Sequence, residues 1–147
     1  MDQYAFGVRA LARISRIMEH SCSGLSLSQY RTLATVASGG ERASQLAERL
    51  ALARPSLTAV VDGLVDRGFL SRSAVPGDRR ATQIEITVTG RKALKVAEAA
   101  MAGRLETLLG RLEDPSVVLE ALAAVSSAMD LAVGERLAGA QGSRPAT

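Results

Sequence analysis

Tryptophan is absent from this 147-residue sequence, and aromatic residues amount to only 3% of it, two Tyr and two Phe. A core of Leu, Val, Ile and Ala follows, and stacking platforms for single-stranded nucleic acid are not expected. The one cysteine, Cys22, excludes an intrachain disulfide, and with one histidine, His20, the chain has no four-ligand zinc site of its own. Catalytic signatures are equally scarce: His20 has no partner motif, and Gly39-Gly40 lacks the flanks of a phosphate-cradling loop. The expectation is therefore no catalytic residue, no cofactor and no metal. No 18 apolar residues run uninterrupted, and the first residues lack a basic segment leading into an apolar one. Neither membrane spanning nor secretion is expected, and a cytoplasmic location follows by default.

What is present is an ordinary globular composition, 47% hydrophobic and 22% charged, with a net charge of only +3. The distribution says more than the total. Residues 42–95 hold ten Arg or Lys against five acids, a net +5, leaving −2 elsewhere. Apolar residues at Tyr4, Val8, Leu11, Ile14, Ile17 and Met18 keep the three-four spacing of an amphipathic first helix, ended by Ser23-Gly24. Ser26 and Gln29 form a capping box, with Leu25 and Tyr30 as its hydrophobic staple, opening a helix over about 27–38. Ala43 to Leu50 reads as a short helix, and Pro55 opens another that Gly68 closes. The period then changes. Phe69 to Val75 and Gln83 to Val88 read as strands around a Pro76-Gly77 turn. Thr89 is expected to cap a long helix from about 90 to 112. Asp114 and Pro115 then start a last helix with a stripe of Val118, Leu122, Val125, Met129 and Val133, and a frayed tail is expected from Gly139.

Two helices across a tight connection, followed by a hairpin with a basic tip, are the order of a winged helix-turn-helix. The start of the second helix, with free N–H groups and positive dipole character, offers Arg54, Pro55, Ser56 and Thr58 to DNA. Its hydroxyls can meet base edges or phosphates, or can simply serve the helix terminus. At the hairpin tip Asp78-Arg79-Arg80 places two guanidinium groups within reach of a minor groove or backbone. An isolated basic pair would be only a solvated turn; following this helix pair, it is assigned to DNA contact. A winged domain used for protein docking is the other reading of the same elements.

These residues carry a specific resemblance. Leu46-Ala47-Glu48-Arg49-Leu50, Ser56-Leu57-Thr58, Val61-Asp62-Gly63-Leu64, Arg67-Gly68-Phe69-Leu70, Pro76-Gly77-Asp78-Arg79-Arg80 and Ile86-Thr87-Val88-Thr89-Gly90-Arg91 resemble the MarR family of bacterial transcriptional regulators. The D-x-R wing followed at this distance by T-x-x-G is the strongest part. The resemblance implies a mainly α fold with a small β-hairpin wing: a single domain over 1–147, with the winged helix-turn-helix over about 25–90. Helices over about 1–22 and 91–138 would dimerise, and 139–147 would be a flexible tail. It also implies a homodimeric, ligand-responsive repressor on a pseudo-palindromic operator of double-stranded DNA. Ser56 and Thr58 would lie near bases, Arg80 in the minor groove, and Asp78 would orient it. Ala53 and Ala59 depart from the family, standing where a polar cap and a long polar residue are usual. Tyr30 either lines a cleft for a small aromatic or phenolic ligand or is a core staple. One branch of the family senses peroxide through a cysteine, but Cys22 lies outside that position. An inert thiol is expected, with Cys22-based redox sensing as the alternative.

Overall fold

The computed structural model describes residues 2–39, 41–75 and 77–142, with backbone alone for 41, 78–80 and 136–142. The chain divides into two compact units, Met1–Leu105 and Glu106–Thr147. The first holds α1 (Gln3–Glu19), α2 (Leu27–Ala37), β1 (Glu41–Arg42), α3 (Ala43–Leu50), α4 (Arg54–Asp66), β2 (Leu70–Val75), β3 (Asp78–Ile86) and most of α5 (Val88–Leu109). The second holds the last turn of α5 and α6 (Pro115–Gly142). The fold is mainly helical with a small antiparallel wing.

Local chemistry sets most boundaries. The Asp2 carboxylate accepts from the Tyr4 N–H at the start of α1. Ser23 and Gly24 reverse the chain at φ 48° and 84°. The capping box is complete: the Gln29 N–H donates to Ser26 Oγ at 3.1 Å and the Ser26 N–H to Gln29 Oε1 at 3.0 Å. Asp114 accepts from the Ser116 N–H at 2.9 Å and opens α6. The Ser116 hydroxyl, followed by its N–H, holds the Asp114 carboxyl below its ordinary pKa, so the cap is ionised at neutral pH.

Four boundaries depart from the sequence reading. The wing is three-stranded, in the order β1-β3-β2, because Glu41 and Arg42 pair with Ile84 and Gln83. Two residues are too few to leave a period. β3 ends at Ile86, and Thr87, not Thr89, caps α5: its hydroxyl donates to the Gly68 carbonyl at 2.6 Å and accepts from the Gly90 N–H at 2.9 Å. α5 ends at Leu109, where the Gly110 N–H returns to the Glu106 carbonyl. α6 continues through Gly139 to Gly142, since a glycine weakens a helix by only about 1 kcal/mol and does not stop it. Pro76 and residues 143–147, the turn proline and the end of the expected tail, lie outside the described residues.

In the first unit α2, α3, α4, β2, β3 and α5 enclose one apolar core. Leu33, Leu46, Val61, Leu64 and Ile84 are each 1% exposed or less. The second unit is different. Between Pro115 and Glu135 nothing is buried, and Val117, Leu119, Leu122, Val125, Met129 and Leu131 stand exposed. By length and composition this stretch, of mean hydropathy 1.7, could cross a membrane, although polar residues interrupt its apolar run. α1 has a matching unburied face of Tyr4, Phe6, Val8 and Leu11.

Candidate nucleic-acid interface

α3 presents Leu46, Ala47 and Leu50 to the core and stops at Ala51, whose left-handed φ of 51° turns the chain toward α4. α4 buries Leu57, Val61 and Leu64, which fixes its opposite face outward. Arg54, Pro55, Ser56 and Thr58 are all exposed at its first turn. Ala53 gives this end no side-chain cap, and Pro55 has no N–H, so the remaining N–H groups keep their positive character for an external acceptor. The Thr58 hydroxyl donates to the Arg54 carbonyl at 2.9 Å, leaving its oxygen as an acceptor toward solvent.

The start of α3 is likewise without a side-chain cap, at Arg42. Arg42, Ala43 and Ser44 from that end, Arg54, Leu57 and Thr58 from α4, and Ala81 and Thr82 from β3 line one cleft of about 360 Å³. Arg42 and Ser44 were not singled out in the sequence. Arg42 belongs to the +5 segment, but it reaches this cleft through the pairing of β1 with β3, which no local pattern announces.

An ion pair ties the wing to α4. Arg72 of β2 pairs with Asp62 of α4 at 2.6 Å. Both side chains are about half exposed, so the pair contributes at most ~1 kcal/mol and acts mainly on orientation. Arg67 donates to the Gly24 carbonyl at 3.0 Å and lies over the Phe69 ring, 4.5 Å from its centroid. Asp78, Arg79 and Arg80 form the first residues of β3, after Gly77 at φ 83°, with Asp78 opposite Val75. Their side chains lie outside the described residues.

Tyr30 is half-buried against the core; burial, then Glu98 and Cys22, push its hydroxyl pKa up. Among the described residues no three His, Cys, Asp or Glu side chains gather as a metal site. Cys22 is 1% exposed, its Sγ donating to the Met18 carbonyl at 3.1 Å and lying 3.4 Å from the Met101 sulfur. Burial, with Glu19 adding to it, raises the thiol pKa, so the thiolate that reacts with peroxide is scarce at neutral pH. DNA affinity is expected to be unchanged by organic peroxide, in wild type and in Cys22→Ser alike. Peroxide-induced release that disappears in Cys22→Ser would contradict this.

The same fold recurs in known proteins. The family model described as MarR family matches residues 23–81. An HTH-type transcriptional regulator of Mycobacterium bovis is 35% identical over 106 residues, covering 67% of this chain and 74% of that protein. Apo MarR from E. coli superposes with a TM-score of 0.74 at 18% identity, over 86% of this chain and 97% of that one. The M. tuberculosis regulator MosR, in complex with DNA, gives 0.63 at 25% identity, over 90% and 98%. CouR from Rhodococcus jostii RHA1, bound to p-coumaroyl-CoA, gives 0.71 at 19% identity, over 87% and 91%.

Proposed function

The chain belongs to the MarR family of DNA-binding transcriptional regulators, not enzymes, and from that premise we propose that it is a cytoplasmic, homodimeric, ligand-responsive repressor of a pseudo-palindromic operator. The observation that carries the DNA-binding geometry is the cleft where two uncapped helix starts, Arg42 and Arg54 converge beside β3. A duplex laid there meets N–H groups and guanidinium groups as phosphate partners, with Ser56 and Thr58 at base edges. Arg80 enters the adjacent minor groove, oriented by Asp78, with Arg79 on the backbone. As a single domain over 1–147, the chain dimerises through its terminal helices, 1–22 and 91–138. Each dimer then carries two such surfaces, for half-sites about 10 bp apart or a multiple of it.

A small ligand that favours a separation of the two winged halves mismatched to the half-sites releases DNA by population shift. CouR, of similar fold, holds p-coumaroyl-CoA, which supports a small aromatic or phenolic effector here, with Tyr30 as a contact.

The test is fluorescence anisotropy on operator DNA across a salt series. Arg80→Ala is expected to weaken binding and to lower the slope of log affinity against log salt by roughly one unit per lost phosphate contact. An unchanged affinity and slope in a folded variant would remove the wing from the interface. Binding without any salt dependence would favour a protein-docking role for the winged domain.

A further inference from the structure

Arg67 is the C-cap of α4; it is exposed and does not line the α3–α4 cleft. Its guanidinium nevertheless joins segments far apart in the chain. Nη1 donates to the Gly24 carbonyl at 3.0 Å and to Gln29 Oε1 at 3.4 Å, and the guanidinium carbon stands 4.5 Å from the centroid of the Phe69 ring. Gly24, at φ 84°, belongs to the turn between α1 and α2. Gln29 Oε1 is the same oxygen that accepts from the Ser26 N–H in the capping box of α2. Phe69 lies at the root of the wing, its N–H closing on the Leu64 carbonyl at 2.9 Å and its carbonyl accepting from the Thr87 N–H at 3.1 Å. One side chain therefore ties the end of α4 to the α1–α2 turn, to the cap of α2 and to the start of β2.

Burial of Leu57, Val61 and Leu64 decides which face of α4 turns inward. Apolar contacts are non-directional, so they oppose rolling of the helix more firmly than a small tilt. A guanidinium held by two acceptors and a ring is directional, and it acts at the end of α4 opposite Ser56 and Thr58. With a rise of 1.5 Å per residue, a tilt of about 10° at Arg67 displaces those two residues by about 3 Å. Such a shift ends a hydrogen bond to a base edge, whereas attraction between a cation and a phosphate falls only gradually with distance. We infer that Arg67 is a positioning residue for sequence readout: by fixing the end of α4 to the α1–α2 turn, it sets the pitch at which α4 presents Ser56 and Thr58, without itself touching DNA. The inference rests on the base-edge role proposed above for these two hydroxyls.

The experiment is fluorescence anisotropy across a salt series on two duplexes, one selected from a random-sequence pool on the wild-type chain and the other its scrambled counterpart. Arg67→Met keeps an unbranched stem over Phe69 and removes the donors. It is expected to weaken binding to the selected duplex by roughly ten-fold or more. Binding to the scrambled duplex should change by less than about two-fold, with the salt slope unaltered, because no phosphate contact is lost. Both bonds leave one nitrogen, so the ammonium of Arg67→Lys should restore binding to within about three-fold of wild type. Arg67→Gln, with a shorter donor, is expected to lose as much as Arg67→Met and takes its place should that variant not fold. Ser56→Ala/Thr58→Ala, measured in parallel, should lower the same preference for the selected duplex. An unchanged preference in the Met and Gln variants, while Ser56→Ala/Thr58→Ala loses it, overturns the inference alone. Equal loss on both duplexes together with a lower denaturant midpoint shows a purely structural role and also overturns it, as does an Arg67→Lys chain no better than Arg67→Met. A salt slope lowered by about one unit makes Arg67 a phosphate contact instead. Preference unchanged in Ser56→Ala/Thr58→Ala removes the base-edge reading, and the inference with it.

Discussion

Gly90→Ala is expected to destabilise the chain by about 1–3 kcal/mol, or more, despite placing a better helix former in α5. A Cβ built at Gly90 falls 2.1 Å from the Phe69 carbonyl oxygen and 2.9 Å from Ile86 Cγ1, far inside the 3.4–4 Å of ordinary contact. The obstacle is backbone, so no rotamer relieves it. The same Phe69 carbonyl accepts from the Thr87 N–H at 3.1 Å, and the Thr87 hydroxyl ties Gly68 to Gly90. Pushing α5 away therefore breaks the junction that fixes the root of the wing. Gly63→Ala in α4 is the comparison: its Cβ would meet only the Gln29 amide at 3.8 Å, so helix propensity governs and a gain of up to ~1 kcal/mol is expected. Denaturant midpoints read both. A Gly90→Ala chain as stable as wild type would mean that the T-x-x-G pairing of Thr87 with Gly90 is not a packing constraint.

What the sequence disclosed and what it hid divide along the range of the interactions. The capping box at Ser26 and Gln29, the Asp114-Pro115 start of α6 and the burial of Leu57, Val61 and Leu64 are set by neighbours three or four residues away, and such spacings are readable. The choice of Thr87 over Thr89 as the cap of α5 is not, because Gly68 and Phe69 decide it from nearly twenty residues away. For the same reason Arg42 and Ser44 enter the cleft unannounced, carried there by β1 pairing with β3. The exposure of Arg54, Ser56 and Thr58 was legible as the polar side of an amphipathic turn. Their sharing one concavity with Arg42 was not.

Replacing Leu122 and Met129 together with Glu is expected to convert the proposed dimer into monomers and to lower operator affinity by roughly 10²- to 10⁴-fold, because two half-site contacts then no longer act as one bivalent event. The motive is the state of α6 in the single chain: Leu122 and Met129 are 39% and 64% exposed, on a helix with no buried residue from Pro115 to Glu135. Each such side chain, if fully covered by a second copy, contributes about 1.5–3 kcal/mol. The apolar face of α1, with Tyr4, Val8 and Leu11, offers surface of the same kind. Unpaired carboxylates placed in that interface would cost several kcal/mol unless they stayed in water, which means apart. Nonspecific affinity per winged domain should fall far less than operator affinity, since the α3–α4 cleft lies wholly in the other unit. Sedimentation velocity and anisotropy on operator and scrambled DNA read both quantities. A double variant that still sediments as a dimer would take α6 out of the interface, and wild-type chain that partitions onto lipid vesicles would assign the apolar stretch Pro115–Glu135 to a membrane instead.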